Sequence, residues 1–522
     1  MKPLLTLPFA ALVLSACSSS VEPAARPDVV LFVVDTLRND RLGCYGYERD
    51  TSPALDALAG EGALFTDVTA QSPWTLPSMV SLFQGRYLTN YRDSLQPDVT
   101  SLPEAFQRAG YRTIGVVANC LVDEDQGFAR GFDSFQIVDC WEDEEQTVKS
   151  RRDIQLLREY LHTPAREALQ TGADGRRAPV FLYVHAFDPH DPYLPHDELN
   201  GDLPLGGAFE VEPEGYWREL YSAAGNPDPR QARNRNAQFA SMREKRARYD
   251  QEVRFFDAGL ADILADLASF GLGEDAVHAL VADHGEGLWE HVANESPEKL
   301  RTLPPHQFFY KSHGGNGYET ASATPFVLWG GAVPRGARVE LAVENVDLYP
   351  TLLELADVAP PDGLHGRSLV PLLAESAPAT EWRSHVFSYG SHSITVRDTR
   401  TRLKLILPSG KSLSNGRGIE LYDLKADPGE RTNLAVERPD DVADLVAVFE
   451  DWTAAHPTPS SMEGRYEEWN LETRRDLAAK LRALGYTESD TGLGADGALG
   501  VPGAGAADGA GPPSEGLSPE RP

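Results

Sequence analysis

The sequence predicts an α/β fold: a central, mostly parallel sheet flanked by helices, followed by a smaller C-terminal α+β subdomain. Three observations lead there. Continuous apolar runs such as Val29 to Val34 read as strands buried on both faces, the pattern of a parallel sheet covered by helices. These runs alternate with segments of helical periodicity along most of the chain, as a doubly wound sheet requires. After about Asp357 the runs shorten, which suits a small antiparallel sheet.

Taken in order, the first strand stops on Asp35, so this carboxylate emerges at the carboxyl end of the strand, where open α/β sheets hold their ligands. Thr75 heads the next helix, in Ser72-Pro-Trp-Thr-Leu-Pro-Ser78, with Pro77 in the first turn. Its hydroxyl is a candidate N-cap, and the open N–H groups there favour an anionic group against that oxygen. Alone, the pattern is an ordinary cap. Ser101-Leu-Pro-Glu104 is a capping box that opens a helix to Ala109, and Tyr111 to Ala118 is the next strand. Further strands are expected at Val180 to Ala186, Ala276 to Ala282 and Pro325 to Trp329. Val253, Phe256, Leu260, Ile263, Leu264 and Leu267 share one helical face as core packing, with Asp257 and Asp262 away from it. The segment Leu199 to Ala240, with its Pro, Gly and Asn, predicts a loop-rich excursion near the pocket mouth. Glu420 to Leu424 is a strand of the subdomain, and from Thr487 onward Gly, Ala and Pro predict disorder. No internal repeat is visible.

A chain of 522 residues at 41% hydrophobic can bury a large core. Its 79 Asp and Glu against 48 Lys and Arg give a net charge of -31, which argues against nucleic acid and against an anionic membrane surface as partners. An anionic substrate must then be drawn in locally, by a metal ion or helix N-termini, because salt screens the far field beyond ~8–10 Å. The start, Met1-Lys2 and an apolar stretch from Leu4 to Val13, reads as a secretory signal too short to span a membrane. Leu14-Ser-Ala-Cys17 resembles a bacterial lipobox, with a plain secretory peptide as the alternative. Cleavage there would leave Cys17 lipidated, placing the protein in the cell envelope, on a lipid-anchored outer face or in the periplasm, with the anchor its only membrane contact. The expected division is 1–17 signal peptide, 18–26 tether, 27–356 catalytic domain, 357–486 subdomain and 487–522 tail. Cys44 is expected to be buried, and Cys120 and Cys140 could pair in an oxidising compartment.

Val281-Ala-Asp-His-Gly-Glu286 repeats the logic of the first strand and delivers Asp283 and His284 to the same edge of the sheet. Two carboxylates, an imidazole and the Thr75 hydroxyl make a mixed oxygen and nitrogen shell, which suits Zn²⁺ or Mn²⁺ better than Ca²⁺. Taken alone, Asp-His-Gly reads as a loop turn.

Three strings carry a family resemblance: Asp35-Thr-Leu-Arg-Asn-Asp-Arg-Leu-Gly-Cys-Tyr-Gly46, Thr51-Ser-Pro-Ala-Leu-Asp-Ala-Leu-Ala-Gly-Glu-Gly62 and Ser72-Pro-Trp-Thr-Leu-Pro-Ser-Met-Val-Ser-Leu-Phe-Gln-Gly-Arg86. They resemble the amino-terminal third of a sulfatase, within the alkaline phosphatase superfamily. The likeness continues through Ala282-Asp-His-Gly-Glu286, His365-Gly-Arg-Ser-Leu369 and Glu420-Leu-Tyr-Asp-Leu-Lys-Ala-Asp-Pro-Gly-Glu430, and spans roughly residues 27 to 440. By this resemblance Asp35, Thr75, Asp283 and His284 fall on the superfamily's metal positions. His190, in Phe187-Asp-Pro-His-Asp-Pro-Tyr193, and His313, in Lys311-Ser-His-Gly-Gly-Asn-Gly-Tyr-Glu319, resemble positions that contact the transferred group or its leaving oxygen. A second metal would draw on Asp188, His190 and His313, whereas His185, His196, His291 and His306 read as surface or supporting histidines.

The departures bear on substrate. Sulfatases oxidise a Cys or Ser in Cys-x-Pro-x-Arg to formylglycine; here the string is Thr75-Leu-Pro-Ser-Met79, which excludes that route. Thr36 replaces the second Asp of the usual pair, and Asn119 stands where a lysine and histidine would bind sulfate. The expected activity is metal-dependent hydrolysis of a phosphate or sulfate ester on an anionic substrate, with a glycan or a lipid as the linked alcohol. Thr75 is the nucleophile, His190 or His313 the proton donor, and Asn119 an added hydrogen bond. The alternatives are a phospho-group transferase to a glycan or lipid alcohol, a sulfuric ester hydrolase without formylglycine, and a binding protein that has lost turnover.

Overall fold

The computed structural model describes residues 26–88, 94–119, 121–138, 154–169, 177–199, 203, 211–224, 232–293, 297–314, 316–374, 382–390, 393–408 and 418–456. The signal peptide with Cys17, the Cys120–Cys140 pair and the tail lie outside these residues.

An eight-stranded sheet organises the protein. In chain order its strands are β1 (Val29–Val34), β2 (Ala63–Phe65), β3 (Arg112–Val117), β4 (Ser134–Ile137), β5 (Val180–Ala186), β6 (Val277–Ala282), β7 (Phe326–Trp329) and β8 (Ala337–Val339). They lie side by side as β8-β2-β7-β6-β1-β5-β3-β4. Only β7 runs antiparallel to its neighbours, so the sheet is mostly parallel, as the unbroken apolar runs require. Alternate residues of β1 serve two cores. Val30, Phe32 and Val34 pack on one face beneath the long helix Ala232–Phe270. Val29, Leu31 and Val33 pack on the other, against the helices Thr75–Gln84 and Leu348–Leu355. Each such fully buried side chain is worth about 1.5–3 kcal/mol.

Register decides where the chemistry sits. Val34 of β1 is level with Ala186 of β5 and with Ala282 of β6, so the three strands end together. The residues that follow them, Asp35, Phe187 and Asp283, therefore leave the sheet at one edge.

Three expectations are corrected here. Leu199 to Ala240 is not simply loop: the helix Val211–Ala223 lies within it, and the long helix already begins at Ala232. Buried Trp217 and Phe239 dock these helices on the core, and tertiary packing outweighs the local loop signals. Asp257 does not face solvent. It is 2% exposed and accepts the N–H groups of Ala54 and Leu55 at 2.9 and 2.8 Å, capping the helix Pro53–Glu61 from a distance in sequence. Cys44, expected in the core, is half-buried.

A second, antiparallel sheet follows: β9 (His385–Tyr389), β10 (Ser393–Asp398), β11 (Leu403–Pro408) and β12 (Glu420–Asp423), covered by the helix Pro439–Ala455. Arg397 of β10 joins it to Asp67, and Lys404 of β11 to Glu319 and Glu430. Among the described residues no helix is long and apolar enough to cross a membrane.

Candidate active site

The chain turns sharply after β1 because Thr36 adopts a left-handed φ of 56°. A β-branched residue there costs about 1–3 kcal/mol. The turn aims the Thr36 N–H at Asp283 Oδ1, 3.2 Å away, and ties the ends of β1 and β6 together. The same oxygen accepts the His284 N–H at 2.7 Å. His284 donates from Nδ1 to the Gly285 carbonyl at 2.8 Å, which leaves Nε2 pointing toward the carboxylates: 3.4 Å from Asp283 Oδ2 and 3.8 Å from Asp35 Oδ1. Gly285 is required at this turn, since a Cβ would lie 2.2 Å from the Thr320 carbonyl oxygen.

Thr75 is the first residue of its helix, not the cap. Trp74 holds the cap position, and the Thr75 hydroxyl makes no capping bond. It lies instead 3.2 Å from His284 Nε2, fully buried, with the open end of a ten-residue helix beside it. Ser78, one turn on, donates to the Asp283 carbonyl at 2.6 Å and fastens the helix to the end of β6. The four side chains Asp35, Thr75, Asp283 and His284 thus meet at one buried point.

His185 joins them, contrary to its reading as a surface or supporting histidine. It is wholly buried, and ligand atoms of Asp35, His185 and Asp283 lie within 4.8 Å of one another. Its position in β5 is level with Val33, so it shares the face on which Asp35 emerges. Tyr183 engages Nδ1 at 2.8 Å, while Nε2 has no hydrogen-bond partner among the described residues. The parity of a strand ending in His-Ala was the signal in the sequence.

The electrostatics fit a cation. Two buried carboxylates 4.8 Å apart or closer repel by about 3 kcal/mol at an effective dielectric near 20. Burial pushes Asp283 up to about 7 and His185 down to about 3, and holds His284 well below the ordinary range. The imidazoles are therefore neutral, the form that binds metal. Asp283 Oδ2 is also buried without a hydrogen bond among the described residues. Two carboxylates, two neutral imidazoles and a hydroxyl form a mixed oxygen and nitrogen donor set of the kind that holds a divalent ion.

Asn119 does not point its amide at an open pocket. Nδ2 donates to Asp35 Oδ2 at 2.5 Å, and Oδ1 accepts the Leu121 N–H at 2.9 Å. It orients the Asp35 carboxylate.

His313 and His190 line the outer side. The His313 ring is 4.5 Å from that of His284 and 5.1 Å from that of His190. Gly314, at φ 74°, donates to the Pro73 carbonyl at 2.6 Å, so the His313 turn is fastened to the loop that feeds Thr75. Glu286, which the sequence reading passed over, is completely buried; it takes the His313 Nδ1–H at 3.3 Å and the Tyr193 hydroxyl at 3.0 Å. Burial alone would pull the His313 pKa down, but the Glu286 carboxylate overcomes it and holds the imidazole above its ordinary value. His190 donates from Nδ1 to the Asp191 carbonyl at 2.7 Å and stacks on Phe187. The second-metal set is not assembled among the described residues: Asp188 takes the Ile154 N–H at 2.8 Å at the start of the helix Ile154–Ala168 and forms no ligand group with His190 and His313.

Residues 27–358 match the Sulfatase family model, and residues 305–450 match that of the N-sulphoglucosamine sulphohydrolase C-terminal region. The chain belongs to the sulfatase family. A Delta 4,5-hexuronate-2-O-sulfatase of Bacteroides thetaiotaomicron is 25% identical over 460 residues, covering 81% of this chain and 87% of its own. Among solved structures, the phosphonate monoester hydrolase of Agrobacterium radiobacter superposes with a TM-score of 0.62 at 21% identity, over 83% of this chain and 96% of that one. A second, solved with its substrate D-glucosamine-2-N,6-O-disulfate, gives 0.61 at 20% identity, over 84% and 100%. At these identities the structures establish the shared fold. As a sulfatase the protein is a metal-dependent hydrolase of anionic esters, and the buried Asp35, His185 and Asp283 are a fitting group for the ion.

Proposed function

We propose that this sulfatase hydrolyses a phosphate or sulfate ester with Thr75 as the nucleophile. The observation that carries the reading is the Thr75 hydroxyl 3.2 Å from His284 Nε2, beside the cluster where Asp35, His185 and Asp283 converge. Asp35, Asp283, His284 and His185 would hold a divalent ion, whose bound form lowers the pKa of a nearby hydroxyl and neutralises charge on the transferred group.

In the first step Thr75 attacks as its alkoxide, the hydroxyl proton having already been lost to solvent, and its oxygen forms a bond to phosphorus or sulfur as the ester oxygen leaves. The N–H groups at the start of its helix stabilise the equatorial oxygens. His313 gives its Nε2 proton to the departing oxygen, while Glu286 keeps the other nitrogen protonated and the ring in place. Water then cleaves the threonine ester and returns the proton to His313. Asn119 serves by holding Asp35.

The phosphate ester is favoured by Thr75 itself, which cannot become formylglycine. The sulfate ester is favoured by relatives such as the hexuronate-2-O-sulfatase, whose name also supports a glycan as the alcohol. The experiment is to load the purified protein with Zn²⁺ or Mn²⁺ and assay aryl phosphate monoesters, diesters and sulfate esters, then to seek a covalent adduct on Thr75 by mass spectrometry. Full turnover by a Thr75→Ala protein would sink the proposal.

The proposed setting is the cell envelope of a bacterium, with Cys17 lipidated, residues 27–356 as the catalytic unit and 357–486 as the subdomain. Membrane fractionation of wild type against Cys17→Ser tests it; equal release of both proteins would refute the anchor.

A further inference from the structure

Lys311 lies on the strand Phe309–Ser312, two residues before His313, and its ammonium pairs with Asp191, the residue after His190. The pair bridges the two segments that carry the outer histidines. Its position is the rim of the site: the Asp191 side chain is 44% exposed and that of Lys311 21%, whereas Asp35, Asp283 and His284 are fully buried. Beneath it lie two buried rings. Lys311 Nζ stands 4.9 Å from the ring centre of Tyr193 and 5.9 Å from that of Trp289, and the Tyr193 hydroxyl bonds the same Glu286 that holds His313. Cation–π contact fixes the ammonium, so the charge is presented in one place rather than swept through solvent.

We propose that Lys311 is a specificity-determining residue: it binds a second anionic group on the substrate, a carboxylate or a further oxyanion, in exchange for Asp191. The substrate class is then an ester that carries two separate anions. This deepens the ester-hydrolase reading and rests on it. The exchange is favourable because a half-exposed ion pair is weakly held and its carboxylate regains water when displaced. In a protein of net charge -31, a cation mounted on aromatic rings at the mouth supplies the local attraction that the overall field denies.

The test uses the metal-loaded protein and two non-hydrolysable probes, phenylphosphonate and 4-carboxyphenylphosphonate, titrated calorimetrically. Wild type is expected to bind the carboxylated probe about tenfold more tightly, the gain of one charge-assisted contact. Lys311→Met should erase that preference and leave phenylphosphonate binding unchanged, and Asp191→Asn should strengthen the preference. Equal binding of both probes by wild type overturns the inference, and so does a Lys311→Met protein that loses both alike, which is the signature of a structural latch. Selective binding without turnover of any aryl ester refutes the hydrolase reading alone; turnover without selectivity refutes this inference alone.

Discussion

Asn119 donates its amide to Asp35 Oδ2 at 2.5 Å, so a side chain expected to meet the transferred group is spent on a carboxylate of the metal site. Removing such a supporting bond typically costs a factor of about 10–100 in metal affinity. Asn119→Ala is therefore expected to weaken metal binding by that much, measured by chelator competition, while kcat at saturating metal stays within a few-fold of wild type. A collapse of kcat with unchanged metal affinity would place Asn119 on the substrate instead.

Thr75 and His284 give the nucleophile test. Thr75→Ala should lower kcat by at least about 10³-fold, since loss of a covalent nucleophile leaves only binding and electrostatic contributions. Bound metal, counted by elemental analysis, should remain near wild type because Asp35, His185, Asp283 and His284 are intact. Thr75→Ser keeps the hydroxyl and should restore part of the rate.

Removal of the ion should be visible in stability. Asp35 and Asp283 are both completely buried within ligand distance, and a bound cation would offset their repulsion. An ion present at about 1,000 times its Kd stabilises the fold by about 4 kcal/mol. Treatment with chelator should lower Tm by several degrees, and Zn²⁺ or Mn²⁺ should restore it more fully than Ca²⁺, which gains little from two imidazoles. Equal rescue by Ca²⁺ would argue against His185 and His284 as ligands.

Strands that are apolar throughout were legible from end to end. Val29–Val34 and Val180–Ala186 begin and stop where the sequence predicts, because burial on both faces leaves no other reading of such runs. The carboxylates that follow were legible for the same reason. His185 was not, because its role depends on lying level with Val33, and register between strands so far apart in sequence is not written locally. Asp257 misled through a local pattern: it departs from the apolar stripe of its own helix yet caps Pro53–Glu61. Thr75 misled by resembling a cap: Trp74 holds that position, without a side-chain capping bond, and the Thr75 hydroxyl turns to His284.

His278, at the other end of β6 from the site, offers a pH test free of the metal. It is 3% exposed, stacks on Trp329 with ring centres 5.1 Å apart and donates from Nε2 to the Gly273 carbonyl at 3.1 Å. Burial pushes its pKa down to about 4, against an ordinary value near 6.5. The unfolded chain therefore takes up this proton first as pH falls. The contribution of His278 to stability is complete above about pH 6.5, declines between about 6.5 and 4, and levels off below, for a loss of about 3 kcal/mol from this group. His278→Phe keeps a ring against Trp329 but cannot titrate. Its denaturant midpoint should be flatter than that of wild type across this window, and at pH 7.5 it should be the less stable of the two because the bond to Gly273 is gone. Parallel curves for the two proteins from pH 4 to 6.5 would mean that His278 does not carry this part of the acid sensitivity.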